Sequence, residues 1–394
     1  MRLRTLNNLN FKVTFVSFFM TYTFKIFTSS KELPDHWNEI VGRHNIMLSK
    51  EYFNALDSSS PTNLKSCFVV FFKGESLIGG ALFQFLNFIQ HKTFQKNEIL
   101  CSVRNFLAKR FSKDVMILGN NMLTGQNGFY FDASKINADE IIRLLDDAAK
   151  EVQQKIGKTS LVIYKDYQLD FINYFEDNKK VFYRFSVQPN MILKLNKDWS
   201  DFENYLNAFS TKYRTRAKSA RKKGSEISKK ELSLNEVKNL SKEMNFLYQN
   251  VAENAPFNTF FLTDNHFESM KENLSQNFRV FGYFLDEKLI GFYTLILNNK
   301  DVDTYFLGYD KELQKEKQIY LNMLLDMVEF GINEKFCRII FGRTALEIKS
   351  TIGAEPVEIF GLIKHNNLLI NQFIESVFNS LNPTIEWIQR KPFK

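Results

Sequence analysis

Residues 68–86 read FVVFFKGESLIGGALFQFL, and residues 280–297 read VFGYFLDEKLIGFYTLIL. Each stretch is an apolar strand, a short polar turn (Lys73-Gly74 in one, Asp286-Glu287 in the other) and a second apolar strand. Glu75-Ser-Leu-Ile-Gly79 matches Glu287-Lys-Leu-Ile-Gly291, and a glycine inside a strand marks a bulge or a close backbone approach. A single hairpin with this pattern would say little. The elements that come after each copy make the match informative.

After the first hairpin come a strand near Val115–Leu118, a loop rich in Gly and Asn, and a helix near Ala138–Ile156. The helix carries the stripe Ile141, Leu144, Leu145, Ala148, Val152 and Ile156 at helical period. A buried strand over Ser160–Tyr164 and a short helix near Leu169–Glu176 close the unit. After the second hairpin come a strand over Asp303–Leu307 and a helix near Gln318–Lys335, with the stripe Tyr320, Met323, Leu324, Met327, Val328 and Gly331. A strand over Cys337–Phe341 and a short helix near Leu346–Ile352 complete the second unit. One unit is written twice. A hairpin followed by a strand–helix–strand crossover predicts a mixed sheet with helices on its faces, an α/β (mixed α+β) class. Pro189 and Asn190 break the strand pattern of Phe185–Leu195, which places the domain boundary there: residues 20–185, then 186–394.

The 394 residues suit two domains, and 44% apolar with 24% charged residues describes a globular chain with a large core. Cys67, Cys101 and Cys337 are an odd, widely spaced set, and the five histidines (His36, His44, His91, His266 and His365) include no HxxxH or HExxH. This predicts a reducing compartment and no metal site. His91, which comes after a strand, reads as a surface histidine rather than a base. Arg2 and Arg4 precede an apolar stretch, but only 12 residues separate Lys12 from Lys25, and four of them are Ser or Thr. That is short and polar for a membrane span. The alternation of Tyr22, Phe24 and Ile26 with Thr21, Thr23 and Lys25 reads as a strand, and Met20 is an alternative start that would leave out residues 1–19. The expectation is a cytoplasmic protein, peripheral at most to the inner face of the membrane.

Between Lys212 and Lys230 there are nine Lys or Arg residues and one acid, Glu226. Ser210 is a suitable N-cap and Gly224 a stop, so residues 210–224 are predicted to be a basic helix at the start of the second domain. Arg214, Lys218 and Arg221 recur at i, i+4 and i+7 and share a face, with Tyr213, Ala217 and Ala220 on the adjoining, more buried side. Stacked like charges cost helix stability, and phosphates would offset that cost, whether on a pyrophosphate, an RNA backbone or an anionic lipid surface. The plain alternative is a solvated helix. Apart from Tyr213, no aromatic side chains interleave the cations for base stacking.

Tyr213-Arg-Thr-Arg-Ala-Lys-Ser-Ala-Arg-Lys-Lys-Gly224 resembles the Arg-rich helix of the FemAB-like proteins, double acetyltransferase-fold (GNAT) proteins tied to peptidoglycan biosynthesis. Gly342-Arg-Thr-Ala-Leu-Glu-Ile-Lys-Ser350 with Ile352-Gly-Ala-Glu-Pro356 is similar to that family's C-terminal signature, and Gly119-Asn-Asn-Met-Leu-Thr-Gly125 followed by Gly128-Phe129 to its Gly-Asn loop. The resemblance runs from about Tyr22 to the C-terminal region. It implies two tandem GNAT-like domains, in each of which two central parallel strands splay apart around the acyl donor's carbonyl. It also implies transfer of an activated acyl or aminoacyl group to an amine, with aminoacyl-tRNA or an acyl thioester as donor and no bound cofactor. The acceptor would be a small molecule or an envelope precursor in peptidoglycan, lipid or polysaccharide synthesis. Implied partners are tRNA, an acyl carrier protein or an anionic membrane surface. Two other readings remain open: an acyl-CoA- or acyl-carrier-dependent N-acyltransferase making an amino-acid lipid, and a non-catalytic RNA- or envelope-binding protein on the same fold.

One departure concerns the donor. Acetyl-CoA enzymes of this fold carry a glycine loop before the main helix, whose N–H groups hold the pyrophosphate. Here Leu313-Gln-Lys-Glu-Lys-Gln-Ile319 and Asp132-Ala-Ser-Lys-Ile-Asn137 contain no glycine, so ordinary CoA binding is not expected.

Amine acylation needs a positioned nucleophile, a route for its proton and a stabilised oxyanion, and no hydrolase-type triad is required or found. Arg343 stands just past a strand end and is the candidate to grip an anionic substrate group, with Glu347 as base or amine holder. Lys349 and Ser350 are candidates to bind phosphate or donate to the oxyanion. The competing reading is a structural Arg343–Glu347 ion pair. Asn120, Asn121 and Thr124 lie in the Gly-flanked loop and either line the cleft or simply shape a turn. Tyr305 and Tyr309 lie on or just after the strand that would face the donor, and Tyr305 would protonate the leaving group if it does not serve packing.

Overall fold

The computed structural model describes residues 22–87, 113–169, 172–173, 181–255, 258–381 and 386–394. Residues 1–19, His91, Cys101 and most of the helix expected over 169–176 lie outside them.

The repeated hairpins form as read. In the first unit β1 (Tyr22–Phe27) pairs with β2 (Leu64–Lys73), and β2 turns through Gly74 into β3 (Ser76–Asn87). In the second, β10 (Phe278–Leu285) pairs with β11 (Lys288–Asn298) through Asp286 and Glu287, both at positive φ (48° and 64°). Two successive left-handed residues give the turn whose twist suits a two-residue hairpin. The register slips in both copies at the same place: Phe71 faces Gly79 and Phe72 faces Leu77, while Tyr283 faces Gly291 and Phe284 faces Leu289. The extra residue is Ile78 in one and Ile290 in the other, each directly before the matched glycine. The shared Leu-Ile-Gly therefore encodes a shared bulge.

The first sheet has the order β1-β2-β3-β4-β6-β15-β7 with β5 also on β3, where β4 is Asp114–Leu118, β5 Phe129–Phe131, β6 Leu161–Tyr167, β7 Tyr183–Ser186 and β15 Phe360–His365. The second has the order β14-β8-β13-β12-β11-β10-β9, where β8 is Asn190–Lys194, β9 Ser228–Glu231, β12 Asp301–Tyr309, β13 Arg338–Gly342 and β14 Glu355–Val357. In each sheet one parallel pair, β4–β6 or β12–β13, comes after the hairpin, as the crossover pattern requires.

The division at residue 185 needs amendment. Pro189 separates β7 and β8 into different sheets, but β15, from the C-terminal part of the chain, lies between β6 and β7 of the first. It takes the place beside β6 that β8 takes beside β13, antiparallel in both cases. The chain thus returns to the first unit after completing the second.

Eight helices bear on the site: α1 (Lys50–Ser59), α2 (Ala138–Lys155), α3 (Thr211–Lys223), α4 (Ser241–Ala252), α5 (His266–Leu274), α6 (Lys311–Lys317), α7 (Ile319–Asn333) and α8 (Leu346–Ser350). Buried apolar side chains form three clusters. One lies between the first sheet and α2, and includes Leu144, Leu145, Ala148 and Val152. Another lies between the second sheet and α3 and α7, with Ala217, Ala220, Leu324 and Val328. The third is shared: Phe53 and Leu56 of α1 and Phe68 and Val70 of β2 join Leu247 of α4, Phe267 of α5 and Phe292 of β11 in one cluster. Each unit has an outer core of its own, and both close on a common inner one.

Candidate active site at the junction of the two units

The second sheet opens beside a bulge. β12 and β13 pair only over Asp301–Arg338, Val302–Ile339 and Asp303–Ile340, yet β12 runs on to Tyr309. On its other edge β12 stays with β11, with Thr304 facing Leu295 and Leu307 facing Tyr293. Tyr305 and Phe306 therefore share one partner, Thr294, whose hydroxyl donates to the Phe306 carbonyl at 2.6 Å. A bulge re-aims side chains and bends the strand. Here both Tyr305 and Phe306 pack on the inner core, while Val302 and Leu307 face the outer one.

Half-buried Tyr305 meets a polar set drawn from both units. Its hydroxyl is 2.9 Å from His266 Nε2 of α5 and hydrogen-bonded to Tyr52 of α1. Tyr52 in turn accepts from Asn120 Nδ2 at 2.9 Å. Burial holds His266 far below its usual value, at about 4, and pushes Tyr305 well up. Asp303, at the last β12–β13 pair, is a buried carboxyl raised to about 7 by burial and then by Asp301. A group poised near neutrality is suited to exchanging a proton with an amine.

The first sheet opens at the equivalent point but fills the opening with its own chain. β4 ends at Leu118 while β6 continues to Tyr167. Leu82 of β3 accepts from the Gly119 amide and donates to the Gly128 carbonyl, so β4 and β5 are one strand interrupted by a loop over residues 119–128. The loop's ends touch: a Cβ on Gly128 would fall 2.9 Å from Gly119 Cα, and Gly119 itself sits at φ +139°. Only glycine fits this neck. The loop's asparagines are stitched to both units. Asn120 reaches Tyr52, Asn121 reaches Thr259, and Asn127 joins Asn45 and through it Asn298.

At the far end of that loop the strand ends of the two units meet. Asp166, in the left-handed region at φ +63°, accepts from Lys165 Nζ, from an Arg343 terminal nitrogen and from the Gly125 amide at 3.2 Å. Arg343 also reaches Thr124 Oγ1 at 3.4 Å, and Lys165 Nζ donates to the Leu123 carbonyl at 2.7 Å. Burial raises Asp166, but the two cations outweigh it and keep its carboxyl below the ordinary range. Burial lowers Lys165 to about 8 against the pull of Asp166. Two cations around one carboxylate leave the cluster positive.

The structure thus brings Arg343 and Thr124 together, and Asn120 and Tyr305 into one row. It does not place the other expected residues there. Arg343 pairs with Asp166, not Glu347. Glu347 sits at the surface, bound to Arg390 of the C-terminal tail at 2.5 Å. Lys349 is turned inward and donates to the Phe341 carbonyl at 2.5 Å, and Ser350 donates to the Glu347 carbonyl while accepting the Arg390 amide. These contacts shape the α8 turn and leave neither side chain available to a substrate.

Lys349 carries a testable signature. Burial lowers it to about 7, far below its unfolded value, so the unfolded chain binds the proton that the folded chain lacks between about pH 7 and pH 10.5. Stability should therefore rise with pH across that window. Lys349→Met, which fills the same space without the charge, should unfold at a higher temperature at pH 7, and its advantage should shrink towards pH 10. A constant difference would mean that Lys349 is not buried as described.

The basic helix forms at Thr211–Lys223, with Ala217 and Ala220 buried against α7. Gly224 ends it because the Asn322 side chain, which donates to the Ala220 carbonyl at 2.8 Å, leaves 2.6 Å for any Cβ. Arg221 does not share the free cationic face: it pairs with Asp326 at 2.6 Å and Glu329 at 3.2 Å and covers the Phe202 ring. Lys218 and Arg216 are exposed and Arg214 half-buried, and none has an ion pair among the described residues.

The segment before α7 is not a loop. Residues 311–317 form α6, and the first turn of α7 is occupied from within, where Gln314 Oε1 accepts the Tyr320 amide at 3.1 Å. Lys317 is held by Glu226. Among the described residues no cluster of His, Cys, Asp or Glu is placed to hold a metal ion, and no helix is long and apolar enough to cross a membrane.

No protein-family model and no curated protein matches this sequence. Solved structures do. FemX aligns over 82% of this chain and 93% of its own with a TM-score of 0.53, at 14% identity. The chain has the FemX fold, two units of like topology in tandem. A tandem GNAT protein from the clavulanic acid biosynthesis pathway covers 87% of this chain and 98% of its own at 9% identity and a TM-score of 0.49. L-PGS from Bacillus licheniformis covers 85% and 97% at 10% identity and a TM-score of 0.46. At 14% identity the likeness to FemX speaks for the fold alone, and the chemistry rests on the residues.

The sequence reading missed Tyr52, Lys165, Asp166, His266 and Asp303. The Gly-Asn loop did point to Tyr52 and Asp166 indirectly, because it contacts both.

Proposed function

We propose that the chain is an acyl- or aminoacyltransferase that moves an activated acyl group onto an amine where β12 and β13 part. The observation that carries this reading is the Tyr305–Phe306 bulge immediately past the last β12–β13 pair, which sets a phenol hydrogen-bonded to His266 beside the point where the two strands part. A carbonyl lying along the open edge of β12 would meet backbone donors that need no rearrangement. Asp303 would take the amine's proton and Tyr305 would hold the amine by hydrogen bonding. Arg343 and Lys165, held by Asp166, would take an anionic group of the substrate, since a guanidinium grips carboxylate or phosphate at two points.

The donor is an aminoacyl-tRNA or an acyl thioester bound otherwise than through the usual pyrophosphate loop. The free cations Arg214, Arg216 and Lys218 suit a phosphate backbone, an acidic acyl carrier or an anionic membrane surface; Arg221, already neutralised, has no part in this. The acceptor is an amine of the cell envelope or its precursors, in line with the FemAB-like sequence motifs.

Offering the purified protein both donor classes tests the reading. Charged tRNA should lose its labelled amino acid to an amine acceptor in an RNase-sensitive way, or a long-chain acyl thioester should release free thiol. Consumption of neither, together with salt-dependent retention of RNA or anionic vesicles, would instead indicate a binding protein.

A further inference from the structure

The row of hydrogen bonds through Tyr305 has a direction that its chemistry fixes. His266 Nδ1 lies 3.1 Å from the Ser59 carbonyl oxygen. A carbonyl can only accept, so Nδ1 carries the ring's proton. The Ser59 hydroxyl, also 3.1 Å away, gives its own proton to the Ala55 carbonyl at 2.7 Å and does not reverse the assignment. Nε2 is then a bare acceptor, and the Tyr305 hydroxyl 2.9 Å away donates to it. With its proton committed to His266, the Tyr305 oxygen is left with acceptor sites alone; Tyr52 beside it accepts from Asn120 Nδ2 at 2.9 Å. Asn120 itself is fixed, its Oδ1 accepting the Met122 amide at 2.9 Å.

The consequence concerns the nucleophile, and it rests on the transferase reading above. An amine attacks through its single lone pair. A phenol that donated to that amine would occupy the lone pair and suppress attack. A phenol that accepts from an amine N–H leaves the lone pair free and directs it away from the phenol. We propose that His266 is a positioning residue that keeps the Tyr305 proton turned inward, so that an acceptor site left on the Tyr305 oxygen receives an N–H of the incoming amine where β12 and β13 part. The acceptor substrate is then a neutral primary or secondary amine, and carboxylate or phosphate oxygens are turned away from this end of the site. The row spans α1, β12, α5 and the 119–128 loop, so its geometry depends on both units being docked.

Two measurements on the full chain test this. The first is nitrogen-15 NMR of the histidine side chains, with His266 assigned by its absence in His266→Gln. At pH 7 the expected spectrum is a neutral ring protonated at Nδ1, and Tyr305→Phe should shift Nε2 towards the unbonded value. A ring protonated at Nε2, or at both nitrogens, would overturn the proposal. The second is kinetic. Glutamine offers one amide donor for the Ser59 carbonyl and one acceptor for Tyr305, whereas leucine offers neither. Losing one oriented hydrogen bond should lower kcat about tenfold in His266→Leu at unchanged donor KM, with His266→Gln restoring it to within about threefold. Equal losses in the two variants would remove the positioning role. If the wild-type protein transfers no acyl group, the transferase reading falls, while the NMR result still decides the direction of the row.

Discussion

Asp166→Asn should destabilise the protein by about 3–5 kcal/mol, the usual consequence of removing one partner from a buried charge cluster. Asparagine tolerates the left-handed backbone at φ +63° as well as aspartate does, so the substitution isolates the charge. What remains is Lys165 and Arg343 facing each other without the carboxylate that both now contact. Lys165, already lowered to about 8, should lose its proton more readily still. Replacing both ends, Asp166→Asn with Arg343→Gln, substitutes a neutral amide pair for the ion pair and should recover part of the lost stability, the remainder being the cost of Lys165 left without its carboxylate. Urea unfolding of the two single variants and the double variant measures this directly. Additive losses would mean that the two residues do not interact.

Gly308→Ala should be nearly as severe for a different reason. A Cβ at this position of β12 would lie 2.4 Å from both the Leu247 carbonyl carbon and the Tyr248 nitrogen, which are backbone atoms of α4. No rotamer change relieves a clash with a helix backbone, so strand and helix must move apart, at a cost of about 3 kcal/mol. Gly308 faces Phe292 in the register just beyond the Tyr305 bulge, so the same displacement would disturb the open edge of β12. Thermal unfolding should show a lowered midpoint, and an unchanged midpoint would mean that α4 does not rest on the strand.

These two positions show what a sequence conceals. The hairpins were legible because Leu-Ile-Gly encodes a local event, a bulge, that appears at the same place twice. The basic helix was legible from its cap and its small buried face. Gly308 carries no such mark: its role is set by a helix about 60 residues away in sequence, and glycine in a strand has several uses. Asp166 was equally silent, since Arg343 stands 177 residues further on. β15 reads as an ordinary apolar strand, and nothing local tells which of two similar sheets it will join. Charge misled in three places. Arg221, Glu347 and Lys349 looked available because they are ionisable, yet each is taken up inside the chain, by Asp326, by Arg390 and by the Phe341 carbonyl. The segment before α7 has no glycine with which to form a pyrophosphate loop, and that much is visible in the sequence. Its being a helix whose Gln314 caps its successor is not.

The claim at the centre is that one transferase site is built from both units, with Asp166 of the first holding Arg343 of the second. The rate of amide formation in the Asp166→Asn, Arg343→Gln double variant tests it most directly, because that protein should be folded. The product should be an amide that resists the mild alkali that cleaves the donor's ester or thioester. The double variant should form it at least about 100-fold more slowly than wild type while unfolding at a higher denaturant concentration than Asp166→Asn alone, as expected when a charged grip on the substrate is lost from a folded protein. A folded double variant working at the wild-type rate would contradict the account.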